Sequence, residues 1–192
     1  VGSEMCIRDR FNLKFHDLKH QIRLIAERGE GGEEAVKEIE DIVKNYDSNF
    51  RTKNNALNVI LTEKSFLCNK KGIQLSAVAD GESLAFMKDS DVYSMLGNVI
   101  DNAIEAVESL PEEKRTIGVT VKKIKGFVVV SAYNYFSGEL SFVSGLPATT
   151  KKDGAYHGYG LKSVKATVEK YGGEMNISAD NGVFEVNVAF PA

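Results

Sequence analysis

One stretch constrains this chain more than any other: Gly97-Asn98-Val99-Ile100-Asp101-Asn102-Ala103-Ile104-Glu105-Ala106. It lies within an apolar series of Val92, Met95, Leu96, Val99, Ile100, Ala103, Ile104 and Val107, whose spacing predicts a helix packed along one side. At ~100° per residue, Asn98, Asn102 and Glu105 fall within about 60° of arc on the opposite side. Two carboxamides stacked one turn apart make a poor core. They can form an ordinary solvated face, or they can offer neutral oxygens to a magnesium ion already carried by phosphates. A second feature favours the latter. About fifty residues downstream, His157-Gly158-Tyr159-Gly160-Leu161 is a glycine-rich turn opening another helix. Such turns cradle phosphates with backbone N–H groups and the helix dipole. A lone GxGL is weakly informative, whereas an NxxDNAxEA helix followed at this distance by HGxGL is specific.

On these residues the chain resembles a sensor histidine kinase of the GHKL ATPase superfamily, and within it the peptide-sensing kinases of bacterial quorum sensing. The resemblance runs from Phe11 to Ala192. It implies an α+β chain in which a helical-hairpin dimerisation domain precedes an α/β sandwich of the Bergerat ATP-binding type.

The 192 residues suit one to two domains, and the formal charge of −3 does not favour a nucleic-acid-binding surface. No apolar run reaches membrane-spanning length. Cys6 and Cys68 lack metal-ligand spacing, which fits a reducing cytoplasm. Residues 1–10 show no apolar period and contain Gly2-Ser3, so they are expected to be a non-native or frayed end. The expectation is then of a cytoplasmic fragment whose sensor part, in a membrane, lies upstream.

Over 11–52 the apolar residues Phe11, Phe15, Leu18, Ile22 and Ile25 form a heptad seam, and Val36, Ile39, Val43, Tyr46 and Phe50 form another. Gly29, Gly31 and Gly32 turn the chain between them. Two short helices with narrow seams do not bury both stripes alone, so pairing of two hairpins into a four-helix bundle predicts a homodimer. The remainder, 53–192, reads as the ATP-binding domain. Asn54 or Asn55 caps a helix ending at Lys70-Lys71-Gly72, Ile73 to Val78 is a strand, and Leu84-Ala85-Phe86 reads as a second short strand. Asp89 or Ser90 is expected to cap the asparagine helix, which stops before Pro111. Strands follow at Thr116 to Ile124 and Phe127 to Tyr133, then a long connection, Tyr135 to Tyr156, of the length of either a disordered linker or a functional lid. A helix after Leu161 ends at Gly172-Gly173, and a last hairpin turns at Asp180-Asn181-Gly182.

The resemblance carries roles onto particular residues. It makes Asn102 the residue that holds nucleotide-bound magnesium, with Asn98 beside it. Gly158 and Gly160, with Leu161, match the second glycine box, whose N–H groups point to the phosphates. Members that hydrolyse ATP have a Glu where this chain has Asn98, and a carboxamide cannot take a proton from water. The site therefore favours transfer to a protein acceptor, and the acceptor implied is His16. A neutral imidazole nitrogen is nucleophilic, and the adjacent Asp17 can orient it and accept its second proton. His20, one turn on, is the competing acceptor. Two departures stand out. The first glycine box is missing, and Asn134 in Ala132-Tyr133-Asn134 takes its place toward adenine. Glu105 stands where many relatives have a Lys, so Lys151, Lys152 or His157 would supply the positive charge. The cofactors implied are ATP and Mg2+, and the partners a second copy of the chain and a response regulator, with no nucleic acid. The competing functions are a serine kinase of the anti-sigma type and a nucleotide-binding scaffold without kinase activity.

Overall fold

The computed structural model of the chain describes residues 50–148 and 159–192. The chain's two units divide between Arg51 and Thr52, and the architecture that follows is that of the second. The hairpin expected over 11–52 lies outside the described residues except for its last three positions, as does the 1–10 segment.

Helix α1, Asn55–Lys70, starts where an asparagine can cap it: the Asn54 side-chain oxygen accepts the Leu57 N–H at 3.0 Å. At its other end Gly72 adopts φ +64°, which lets Gly72 N–H reach the Asn69 carbonyl and Ile73 N–H the Cys68 carbonyl at 2.9 Å. Strand β1, Gln74–Ala79, leads out of that turn. The strand expected at Leu84 to Phe86 is instead a 3-10 turn, Gly81–Leu84. The Ser83 hydroxyl donates to the Asp80 carboxylate at 2.6 Å and the Ser83 N–H to the Asp80 carbonyl, so local side-chain bonding claims the backbone before a strand can form.

Helix α2, Asp89–Glu108, is the asparagine helix. Its cap is Lys88, not Asp89 or Ser90, and no side chain caps it. Asp89 and Asp91 instead occupy the first turn, favourable to the helix dipole, and the Lys88 N–H is taken by the Tyr171 hydroxyl at 3.1 Å. Strand β2, Thr116–Ile124, runs parallel to β1 after this crossover; β3, Phe127–Tyr135, returns antiparallel across Lys125-Gly126. Within the described part of the long connection β4, Phe142–Val143, and β5, Leu146–Pro147, close a miniature hairpin over Ser144 and Gly145, both at positive φ. Helix α3, Tyr159–Lys170, already includes Gly160 and Leu161, so the second half of the glycine turn is helical. It ends like α1, with Gly172 at φ +68° and Gly173 N–H on the Val168 carbonyl. Strands β6, Glu174–Asp180, and β7, Val183–Pro191, follow; the two-residue turn Asn181-Gly182 has φ +50° and +74°.

The sheet order is β1-β2-β3-β7-β6, with β1–β2 the parallel pair of a mixed sheet. Alternation sorts its two faces. Ile117, Val119, Val121, Val130, Ala132, Val186, Val188 and Phe190 are buried on the face that the three helices cover. They meet Leu57, Ile60 and Leu61 of α1, Met95, Leu96 and Ile100 of α2, and Val164 and Val168 of α3, all buried. The other face is more open. There Tyr133 lies over its cross-strand partner Gly118, where an added Cβ would fall 2.0 Å from the ring. The fold is the α/β sandwich of the GHKL ATP-binding type.

Candidate nucleotide site

The buried stripe of α2 leaves Asn98 and Asn102 half-buried on the opposite side, with Asp101 and Glu105 exposed beside them. The helix is held from both flanks. On one, Gly97 lets α1 approach: a Cβ there would lie 3.4 Å from Ile60 Cδ1. On the other, Gly160 in the first turn of α3 comes against Asn98, a Cβ at Gly160 falling 3.9 Å from Asn98 Cβ and 4.0 Å from its Oδ1. An alanine would therefore fit, but it would fill the space along the carboxamide. The first-turn N–H groups of α3, which have no partner within their own helix, start next to that carboxamide. Leu161 is buried and fixes the turn to the core.

Asn134 lies on the helix-covered face of β3, 3 % exposed. Its side-chain nitrogen donates to the Tyr135 carbonyl at 2.8 Å, which sets which end of the amide is which. Two residues earlier, Ala132 lines an apolar gap with Val130, Val186 and Val188 of the sheet and Met95, Leu96 and Val99 of α2. That gap is about 10 Å³, a packing void under the asparagine helix, and Asn134 continues the same face of β3 beyond it. His16, Asp17, Lys151, Lys152, His157 and Gly158 lie outside the described residues.

The sequence reading missed the ion pairs that hold α2 between its neighbours. Lys64 of α1 is 7 % exposed and donates from Nζ to Asp101 Oδ1 at 2.6 Å, with Glu63 Oε1 at 3.8 Å. Glu63 also accepts the Tyr93 hydroxyl. Burial, and then that carboxylate, push the Tyr93 hydroxyl well above its usual range. Lys71, just past α1, pairs with Glu108. At the far end of α2, Asp91 accepts from Lys170 at 2.7 Å and from the Tyr171 hydroxyl. The Lys170 bond, then the Tyr171 bond, hold the Asp91 carboxyl below its usual range. A signal for Lys64 existed. Leu57, Ile60, Leu61, residue 64 and Cys68 form one helical stripe, and a lysine in it is a cation aimed inward. Cys68, fully buried, has its thiol pushed up to about 11 chiefly by burial, so it packs and does not react.

A helix presenting stacked carboxamides against the glycine-opened start of a second helix, both on a mixed five-stranded sheet, defines a GHKL-type domain. The family model of the GHKL domain matches residues 87–191, more than half of the chain, and the chain belongs to that family. No curated protein sequence matches it. Among solved structures it is similar to the catalytic domain of histidine kinase ThkA in two nucleotide-free crystal forms. The TM-scores are 0.50 and 0.51, both at 22 % identity over 71 % of this chain and 92 % and 94 % of those chains. It is also similar to the Acinetobacter baumannii histidine kinase AdeS, at TM-score 0.51 and 10 % identity over 84 % of this chain and 80 % of that one. At such identities the likeness is one of fold.

Proposed function

We propose that the chain is the core of an ATP-dependent protein-histidine kinase of a two-component system, of the quorum-sensing, peptide-sensing kind. The observation that carries this reading is the seating of Gly160 against Asn98, which joins the asparagine helix to the opening of α3. The residues fit the ligand. Half-buried neutral oxygens at Asn98 and Asn102 would hold Mg2+, and the side-chain-free flank at Gly160 leaves room along them. Asn134, which the resemblance turns toward adenine, would meet an adenine edge, since a carboxamide both donates and accepts. Lys151, Lys152 or His157 would add positive charge from the connection before α3. Bound ATP supplies the phosphoryl group, and its magnesium draws charge off the phosphates.

The chain's own residues decide where that group goes. Asn98 cannot act as a base for water, and the Asp101 carboxylate is engaged by Lys64 on α1. Both facts favour a protein acceptor over hydrolysis. His16 is that acceptor in our reading, with Asp17 orienting the imidazole and taking its proton, and an aspartate on a response regulator is the next station. The working form is a homodimer paired through the 11–52 hairpin, the cytoplasmic part of a membrane-bound sensor.

Incubation of the chain with γ-labelled ATP and magnesium tests the reading. An acid-labile, base-stable label on the chain itself is expected. Phosphoserine on an added partner would indicate an anti-sigma type of kinase, and no label at all a scaffold; either overturns it.

A further inference from the structure

The polar face of α2 poses an electrostatic problem. If Asn98 and Asn102 receive a polyphosphate, as proposed above, they do so on a helix that also carries Asp91, Asp101, Glu105 and Glu108. A carboxylate one residue from a magnesium ligand repels the phosphates that bring the ion. Flanking segments bring lysines to this helix: Asp91 meets Lys170, Asp101 meets Lys64 and Glu108 meets Lys71. They are not equivalent. The Lys170 side chain is 52 % exposed and that of Lys71 32 %, whereas that of Lys64 is 9 % exposed. The Lys64–Asp101 pair is thus buried at its ammonium and open to solvent at its carboxylate, 54 % exposed.

Lys64 also stands where the core has no need of a charge. Its position continues the stripe of Leu57, Ile60 and Leu61, where an apolar side chain would pack without the cost of desolvating an ammonium. The ammonium reaches across to Asp101, which directly precedes Asn102 in sequence and flanks the carboxamides on the α1 side.

We propose that Lys64 is a positioning residue of the nucleotide site: its buried ammonium cancels the charge of Asp101 and ties the Asn98–Asn102 turn of α2 to α1, so that this face admits a polyphosphate. The proposal rests on the nucleotide reading of that face. It makes Lys64, contributed from outside the two sequence motifs, a determinant of preference for ATP over uncharged nucleoside.

Titration of the full chain with Mg–ATP, Mg–ADP and adenosine separates charge from structure. Lys64→Met should weaken ATP roughly five- to tenfold, ADP less, and adenosine less than about twofold, because one uncompensated charge acts on the phosphates alone. Adding Asp101→Asn to Lys64→Met should bring ATP affinity back to within about twofold of the parent. Asp101→Asn alone, with Lys64 still near Glu63, should raise ATP affinity relative to adenosine by roughly two- to fivefold, and it decides the matter if Lys64→Met does not fold. Equal losses for all three ligands, no loss at all, or no recovery in the double variant overturn the proposal while leaving the nucleotide reading standing. Failure of the parent chain to bind Mg–ATP overturns that reading, and this proposal with it.

Discussion

At the scale of single residues the site depends on what each position offers and what it leaves open. Asn102 projects from the exposed side of a helix whose packing is complete without it, so Asn102→Ala should leave the fold intact. It should weaken magnesium-dependent ATP binding by the worth of one or two charge-assisted contacts, ~1.5–3 kcal/mol each. Calorimetric titration with and without magnesium measures this, and unchanged binding would sink the assignment. Gly160 makes the complementary case. An added Cβ meets nothing closer than 3.9 Å, so Gly160→Ala should keep or slightly raise thermal stability through its higher helix propensity. Nucleotide affinity should nonetheless fall about tenfold, because the methyl occupies the flank of Asn98 and obstructs approach to the first-turn N–H groups. A variant that binds ATP as the parent does would show that the phosphates do not pass there. The motifs single out these two positions in the sequence. Lys64 shows there only as a cation aimed inward from an apolar stripe, because its partner is what α2 brings opposite it.

At the scale of elements, the capped ends were the most legible parts of the chain, since a cap is written in neighbouring residues: Asn54 before α1, Gly72 after it and Gly172 after α3 behave as local chemistry dictates. Where a tertiary partner overrides local preference, the sequence misled. The start of α2 is set by Tyr171 arriving from the end of α3, and no reading of Asp89 or Ser90 reveals that. The same contact makes a test of helix docking. Asp91 receives Lys170 and Tyr171, and its carboxyl is held below the usual 3.8. A lowered folded-state pKa stabilises the fold above the unfolded value and loses that contribution as pH falls through the folded one. Asp91→Asn should thus cost on the order of 1 kcal/mol at pH 7, since a partly exposed pair is screened by solvent. The gap to the parent should close in acid, as pH falls through the lowered folded-state pKa. Urea melts at pH 7 and in acid check it, and a gap that persists in acid would mean the loss is one of packing rather than charge.

At the scale of the whole molecule, the reading requires two copies of the chain and two chemical centres. The seams of 11–52 predict the dimer on packing grounds, and a charge at Leu18 or Val43 should split it by placing an unpaired ion in the seam. Light scattering of the parent should report a dimer, and a monomer would refute the assembly. The acceptor provides the decisive test. His16 precedes the Arg51–Thr52 boundary, whereas Asn98, Asn102 and Gly160 follow it, so the two centres should fail independently. His16→Gln should abolish phosphoryl incorporation without changing ATP affinity. Asp17→Asn should also bind ATP as the parent does but transfer about 10²–10⁴-fold more slowly, the usual loss when a positioned base is neutralised. His20→Gln should change little, because no carboxylate directly follows His20. Phosphopeptide mapping at neutral pH reads all three variants in one experiment. Label on His20, or incorporation that survives His16→Gln, would move the acceptor elsewhere. Loss of ATP binding in His16→Gln would show that the two centres are not separable.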